Sequence, residues 1–166
     1  MKDTKFKNSI IIPTKAEFEV FEQNFSRFVE HCNQDTLILL SIVSQDISDA
    51  EKTVEFAKSI VDLLRDAYFG EKCPSLEVVW NEKDSSYGEC INTAIKYITN
   101  KYGLTDRVLV SSDKVLPTEN WVKYLTRSTK SKFITSVKLI SEDKNPVRIK
   151  TLNENIKIGI VGPVGY

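Results

Sequence analysis

The chain contains a single histidine, His31, among its 166 residues. That scarcity removes every mechanism needing two imidazoles, the H-E-x-x-H metalloproteases among them. Cysteine is nearly as sparse: Cys32, Cys73 and Cys90 are odd in number and lack C-x-x-C spacing, so neither a disulfide framework nor a zinc knuckle is indicated. They read as small buried hydrophobes. Net charge is absent too, 23 basic side chains standing against 23 acidic ones. No whole-molecule field collects nucleic acid or anionic membrane, so a charged ligand has to be met by a local arrangement. Long apolar runs are also missing. The longest, Leu37-Ile38-Leu39-Leu40, is interrupted at Ser41 and is far too short to cross a bilayer. The opening Met1-Lys2-Asp3-Thr4-Lys5 leads into no signal-peptide core, and the expected compartment is the cytoplasm.

What is present is an alternation of short β-branched runs with longer stretches of helical period, the sign of an α/β domain with a mostly parallel sheet. Residues 9–12 are apolar at consecutive positions, as in a strand covered on both faces, and Pro13 closes the run. Over 16–31 the period changes, placing Phe18, Phe21, Phe25, Phe28 and Val29 on one helical face. A second strand is expected over 36–43. The next helix opens on a capping box, Ser48-Asp49-Ala50-Glu51, turns Val54, Ala57, Val61 and Leu64 inward, runs to about Tyr68 and stops at Gly70. A third strand covers 76–80. A second capping box, Ser86-Tyr87-Gly88-Glu89, starts a helix with Ile91, Ala94, Ile95 and Ile98 as its stripe, ended by Gly103. Strands over 107–111, 133–140 and 156–161 follow, with a short helix at 119–126 carrying Trp121 and Leu125. The polar stretch 141–155, with Pro146, reads as a loop or irregular hairpin.

In an open parallel sheet the ligand crevice lies beyond the carboxyl ends of the strands, so chemistry is sought just after each one. Four segments qualify: Pro13-Thr14-Lys15, Ser44-Gln45-Asp46, residues 81–88, and Ser111-Ser112-Asp113-Lys114. The first turn has no glycine, which excludes both G-x-G-x-x-G and the phosphate-binding P-loop. His31 falls at the far end of a helix from this crevice, and no G-x-S-x-G turn supports a serine hydrolase. Asp46, Asp84 and Asp113 all fall in post-strand loops, where a carboxylate can accept hydrogen bonds from a base or ribose or bind a hard cation; aspartate also favours turns and caps for local reasons. Tyr87 could stack on a base or sugar, or simply pack at its helix start.

Five segments in order resemble the nucleotide-sugar-binding part of family 2 glycosyltransferases. They are Ser9-Ile10-Ile11-Ile12-Pro13-Thr14; Val43-Ser44-Gln45-Asp46-Ile47-Ser48-Asp49, where members carry Asp-Asp-Gly-Ser; and Asn81-Glu82-Lys83 with Gly88-Glu89-Cys90-Ile91-Asn92-Thr93-Ala94. The last two are residues 106–117, in the place of the strand and D-x-D segment, with Trp121 after Pro117, and Ile158-Gly159-Ile160-Val161-Gly162-Pro163-Val164. The resemblance implies a three-layer α/β/α GT-A fold, Rossmann-like with a mostly parallel sheet, present as a single domain over 1–166 and incomplete at its C-terminal end. It implies transfer of a hexosyl or similar sugar from a nucleoside-diphosphate donor, UDP-type by preference, to a sugar or polysaccharide acceptor. The donor-binding residues carried over are Pro13, Thr14, Gln45, Asp46, Asn81, Asp84, Gly88, Asn92, Ser112, Asp113 and Lys114.

Departures from the family pattern bear on the chemistry. Ser112 and Lys114 stand at the two metal-binding positions with Asp113 between them, so a Mg²⁺ or Mn²⁺ would rest on Asp113 alone, a poor site for a hard dication. Lys114 could supply positive charge directly, with Lys15 nearby in sequence. Ile91 replaces the family's arginine, and no general base is identifiable. A sheet ending on an uncovered edge would also favour self-association. Two other readings stay open: a GT-A-like module that binds or assembles without transferring, and a small phosphoryl or methyl transferase on an unrelated parallel sheet.

Overall fold

The computed structural model describes residues 6–67, 73–103, 105, 107–117, 150–153 and 156–158. The chain divides into two compact units, Met1–Thr118 and Glu119–Tyr166. In the first, β1 (Asn8–Thr14), α1 (Phe18–Glu30), β2 (Thr36–Ile42), α2 (Ile47–Ala67), β3 (Ser75–Trp80), α3 (Tyr87–Tyr102) and β4 (Arg107–Val110) follow one another. The four strands form an all-parallel sheet in the order β3-β2-β1-β4, flanked by helices. In the second, β5 (Lys150–Asn153) pairs antiparallel with β6 (Ile156–Ile158), with a register irregularity between Thr151 and Asn153. The helix expected over 119–126 and the strand over 133–140 lie outside the described residues, as do Tyr68, Gly70 and the end of the strand expected over 156–161. No helix among the described residues is long and apolar enough to cross a membrane.

Every residue of β1 and β2 is buried, which is why both read as unbroken apolar runs. Side chains alternate between the two faces. Ile11, Leu37, Leu39 and Val79 pack with Phe6 and with Ala94 and Ile98 of α3. On the opposite face Ile12 meets Phe21, Phe25 and Phe28 of α1. Phe21 stacks on Phe25 with ring centroids 4.6 Å apart, and Phe56 of α2 meets Phe18 and Phe21 edge to face. A fully buried phenylalanine contributes about 1.5–3 kcal/mol over an exposed one, so α1 is held mainly by this stripe.

Two local expectations are corrected. Pro13 does not close the first strand; it pairs with Ser41, and β1 continues through it to Thr14, which pairs with Ile42. The Ile11 carbonyl accepts from Ser111 N–H, so by alternation Pro13 faces the same side, past the end of β4, where its missing N–H breaks no ladder. The second helix is not capped by Ser48. It starts at Ile47, and Asp46 is its cap: Oδ1 accepts from Asp49 N–H at 3.2 Å and the Asp46 carbonyl from Ala50 N–H at 3.1 Å. The second capping box forms as expected, Ser86 with Glu89, and Gly103 ends α3 at φ 84°. Leu64 is half-buried, less inward than its periodicity predicts.

The outer strand β3 is pinned to α3 by Glu77. Its Oε2 accepts from Tyr97 at 2.8 Å, while Oε1 accepts from Lys101 at 2.7 Å and from the Tyr102 hydroxyl. Burial works to raise the Glu77 pKa, but these bonds and the Lys101 charge outweigh it and hold the carboxyl below its usual range. The same bond to Glu77 raises Lys101. Because the native carboxyl ionises at lower pH than the unfolded one, the unfolded chain binds more protons on acidification. The stabilisation is therefore present above the ordinary glutamate pKa and lost as pH falls through the native value. Urea unfolding of the wild type and Glu77→Gln as a function of pH should show a smaller acid loss in the variant; parallel curves would show that the cluster makes no contribution.

Candidate functional site

The connections through α1 and α2 carry the chain outward from β1 to β2 and β3. The connection through α3 then returns it to β4 on the other side of β1. The strand order therefore reverses between β1 and β4, and in doubly wound sheets this junction is where a crevice opens beyond the carboxyl ends. The loops that meet there are 14–17 and 111–116.

They are joined by one buried bond: Thr14 Oγ1 donates to Asp113 Oδ2 at 2.5 Å. The same Thr14 oxygen accepts from Ala16 N–H at 2.8 Å. Ala16 has φ 57°, a left-handed conformation costly for any residue with a Cβ, and this bond holds it there. Asp113 Oδ1 accepts from Ser112 Oγ at 3.2 Å, and the Asp113 carbonyl from Asn24 Nδ2 of α1 at 3.0 Å. Asp113 is 6% exposed and lies against Ile12, Phe21, Phe25 and Phe28. Its neighbour Lys114 is exposed, with its backbone N–H bonded to Ser112 Oγ and its Nζ 3.3 Å from Glu17 Oε2. Tyr87, half-exposed at the start of α3, has its phenol raised by burial and secondarily by the Asp113 charge.

The other residues marked in the sequence are distributed differently. Asn81 braces the ends of β2 and β3, donating from Nδ2 to Ser41 Oγ at 2.9 Å and to the Ile42 carbonyl at 3.1 Å. Ser41 in turn donates to the Cys90 carbonyl. Asp46 is committed to capping α2, and Gln45 beside it is exposed. Asp84 is exposed in the turn that Ser85 N–H closes onto the Glu82 carbonyl. Gly88 and Asn92 are exposed on α3, and a Cβ at 88 would meet open space, so packing imposes no glycine there. The junction thus unites Pro13, Thr14, Ser112, Asp113 and Lys114. Asn24, Ala16 and Glu17 are the members that sequence patterns did not mark: Asn24 lies beside the apolar stripe of α1, and nothing local signals a partner 89 residues away. His31 is the residue that ends α1.

A divalent cation does not fit this donor set. Both Asp113 oxygens already accept hydroxyl hydrogen bonds, the side chain faces the aromatic stripe of α1, and no group of three or more metal-ligating side chains occurs among the described residues. Hard cations need several convergent oxygens. A separate groove of about 400 Å³ runs between α2 and the outer strand β3, lined by apolar residues such as Val54, Val78 and Trp80 and by the charged Lys58, Asp62 and Arg65. It lies two strands from β1 and belongs to no loop of the junction.

A scan against protein-family models matches none of them, and a search of curated proteins finds no significant match.

Removing the Thr14 hydroxyl leaves a buried carboxylate oxygen and the Ala16 N–H without partners. Thr14→Val should cost about 1–3 kcal/mol, whereas Thr14→Ser, which loses one methyl group, should cost about 0.8 kcal/mol. Urea midpoints at constant slope measure both; a Thr14→Val variant as stable as the wild type would show that the hydroxyl bond contributes nothing.

Proposed function

We propose that this chain is the donor-binding part of a family 2 type glycosyltransferase with a GT-A fold, working in the cytoplasm on a nucleoside-diphosphate sugar. One observation carries the reading. Two segments that the resemblance marks, Pro13-Thr14 and Ser112-Asp113-Lys114, are 99 residues apart at Thr14 and Asp113 and meet at the β1/β4 reversal point. The all-parallel sheet between helices supports the same architecture.

In this reading the base and ribose lie over Pro13-Thr14, towards Gln45, Asp46 and the loop carrying Asn81 and Asp84, and the diphosphate approaches Ser112-Asp113-Lys114. Thr14 and Asp113 keep the two loops in register, so the surface meeting the donor is organised before the ligand arrives, which lowers the ordering cost of binding. Transfer is a single displacement at the anomeric carbon, and the general base that deprotonates the acceptor hydroxyl is assigned to none of the described residues. A second reading, a GT-A-like module that binds or assembles without transferring, is favoured by the commitment of both Asp113 oxygens to internal hydroxyls.

Calorimetric titration with UDP, then ADP, GDP and CDP, tests the proposal. Saturable binding of at least one is expected, with stabilisation against unfolding of about 2.7 kcal/mol at a ligand concentration one hundred times Kd. Absence of saturable binding by all four would remove the donor-site reading and leave the binding module.

A further inference from the structure

We propose, resting on the nucleotide-sugar reading, that the diphosphate is bound at the β1/β4 junction without a divalent cation, its charge met by Lys114, and that Glu17 holds this ammonium until the ligand displaces it.

Asp113 is poorly placed to hold a metal ion. Its carboxylate is buried and accepts from Thr14 on one oxygen and Ser112 on the other. A cation at coordination distance would compete with these hydroxyls, would lie against Ile12 and the three phenylalanines of α1, and would find Asp113 as its one carboxylate, where a hard dication needs several convergent oxygens. Asp113 is instead a positioning residue. Through Thr14 it fixes Ala16 and hence the turn carrying Glu17, and through its own backbone, bonded to Asn24, it fixes the loop carrying Lys114. The two oppositely charged side chains are thereby presented next to each other at the mouth of the junction.

Lys114 then takes the part that a metal would play. Its side chain is 45% exposed and that of Glu17 is 49% exposed, so their contact at 3.3 Å is a solvent-screened pair. Glu17 stands at the N-cap of α1 yet makes no capping hydrogen bond with its side chain. Its carboxylate is therefore an internal anion on the cation that the diphosphate needs. A diphosphate carries more negative charge than one carboxylate and displaces it without disturbing the buried bonds beneath.

The test uses the full chain, with UDP, ADP, GDP and CDP as probes, titrated in EDTA and again with excess Mn²⁺. For the nucleotide that binds, Kd should agree within about twofold between the two conditions. Lys114→Met should weaken binding about ten- to a hundredfold, the range for a hydrogen-bonded charge. Glu17→Gln should tighten it by about two- to fivefold, as expected for removing an exposed competing charge, and that gain should vanish in the Lys114→Met background. Both side chains are half-exposed, so the variants should fold, and unchanged urea midpoints would verify it. Binding that requires Mn²⁺, or a Glu17→Gln variant with unaltered affinity, overturns the inference while leaving the nucleotide reading in place. Failure of all four nucleotides in both conditions overturns both.

Discussion

The hydrogen bond from Thr14 to Asp113 ties together what the backbone ladder leaves apart. β4 pairs with β1 only through Ile11; beyond that point β1 stays paired with β2 as far as Thr14, and the segment after β4 has no ladder bond to β1 past the one from Ser111 N–H to the Ile11 carbonyl. One hydroxyl takes over that role: it donates across the gap to Asp113 and accepts from Ala16 N–H within its own turn. Because Ala16 is held at φ 57°, the entry of α1 depends on this oxygen. Helix entry, loop spacing and the placement of Glu17 and Lys114 all follow from one side chain at the end of a buried strand.

Burying a carboxylate among phenylalanines is costly unless its hydrogen-bonding capacity is met. Here each carboxylate oxygen accepts from a hydroxyl, and Asn24 ties down the backbone carbonyl of the same residue, which offsets part of the cost of placing the acid beside the aromatic stripe that holds α1 to the sheet. Core and site are consequently the same set of residues at this corner. Ile12, Phe21, Phe25 and Phe28 bury the helix and also close the volume around Asp113 that a metal ion would occupy.

Much of this architecture was legible in the sequence, and the failures have physical causes. The strands β1 and β2 were readable because burial on both faces demands consecutive apolar residues, and the α1 stripe because packing on a sheet demands a 3.6-residue period. Pro13 does not end β1 because its tolerance depends on where a neighbouring strand ends, 97 positions further along the chain at Val110. The cap of α2 falls on Asp46, not on Ser48 as the S-x-x-E spacing suggests, because the helix starts one residue earlier, at Ile47. Proximity of Thr14 and Asp113 followed from the general rule that ligands gather after parallel strands. Their direct bond, with Asn24 and Glu17 around it, has no periodicity and no local spacing to reveal it.

Charge balance carries the last step. The chain is neutral overall, and at the junction Lys15 and Lys114 stand against Glu17 and Asp113, so the corner is formally neutral as well. Neutrality there does not mean indifference to anions, because the two acids are unlike. Asp113 is buried and accepts from two hydroxyls, so an anion from solvent does not reach it. Glu17 is exposed and held by a single screened contact. An incoming anion exchanges with the second acid alone. Glu17 stays attached to the chain when its contact is lost, so the corner takes on the whole charge of the ligand, and what the exchange frees is the Lys114 ammonium. Recognition at such a site depends on where one ammonium is placed, and its placement is set by the buried bond one residue away.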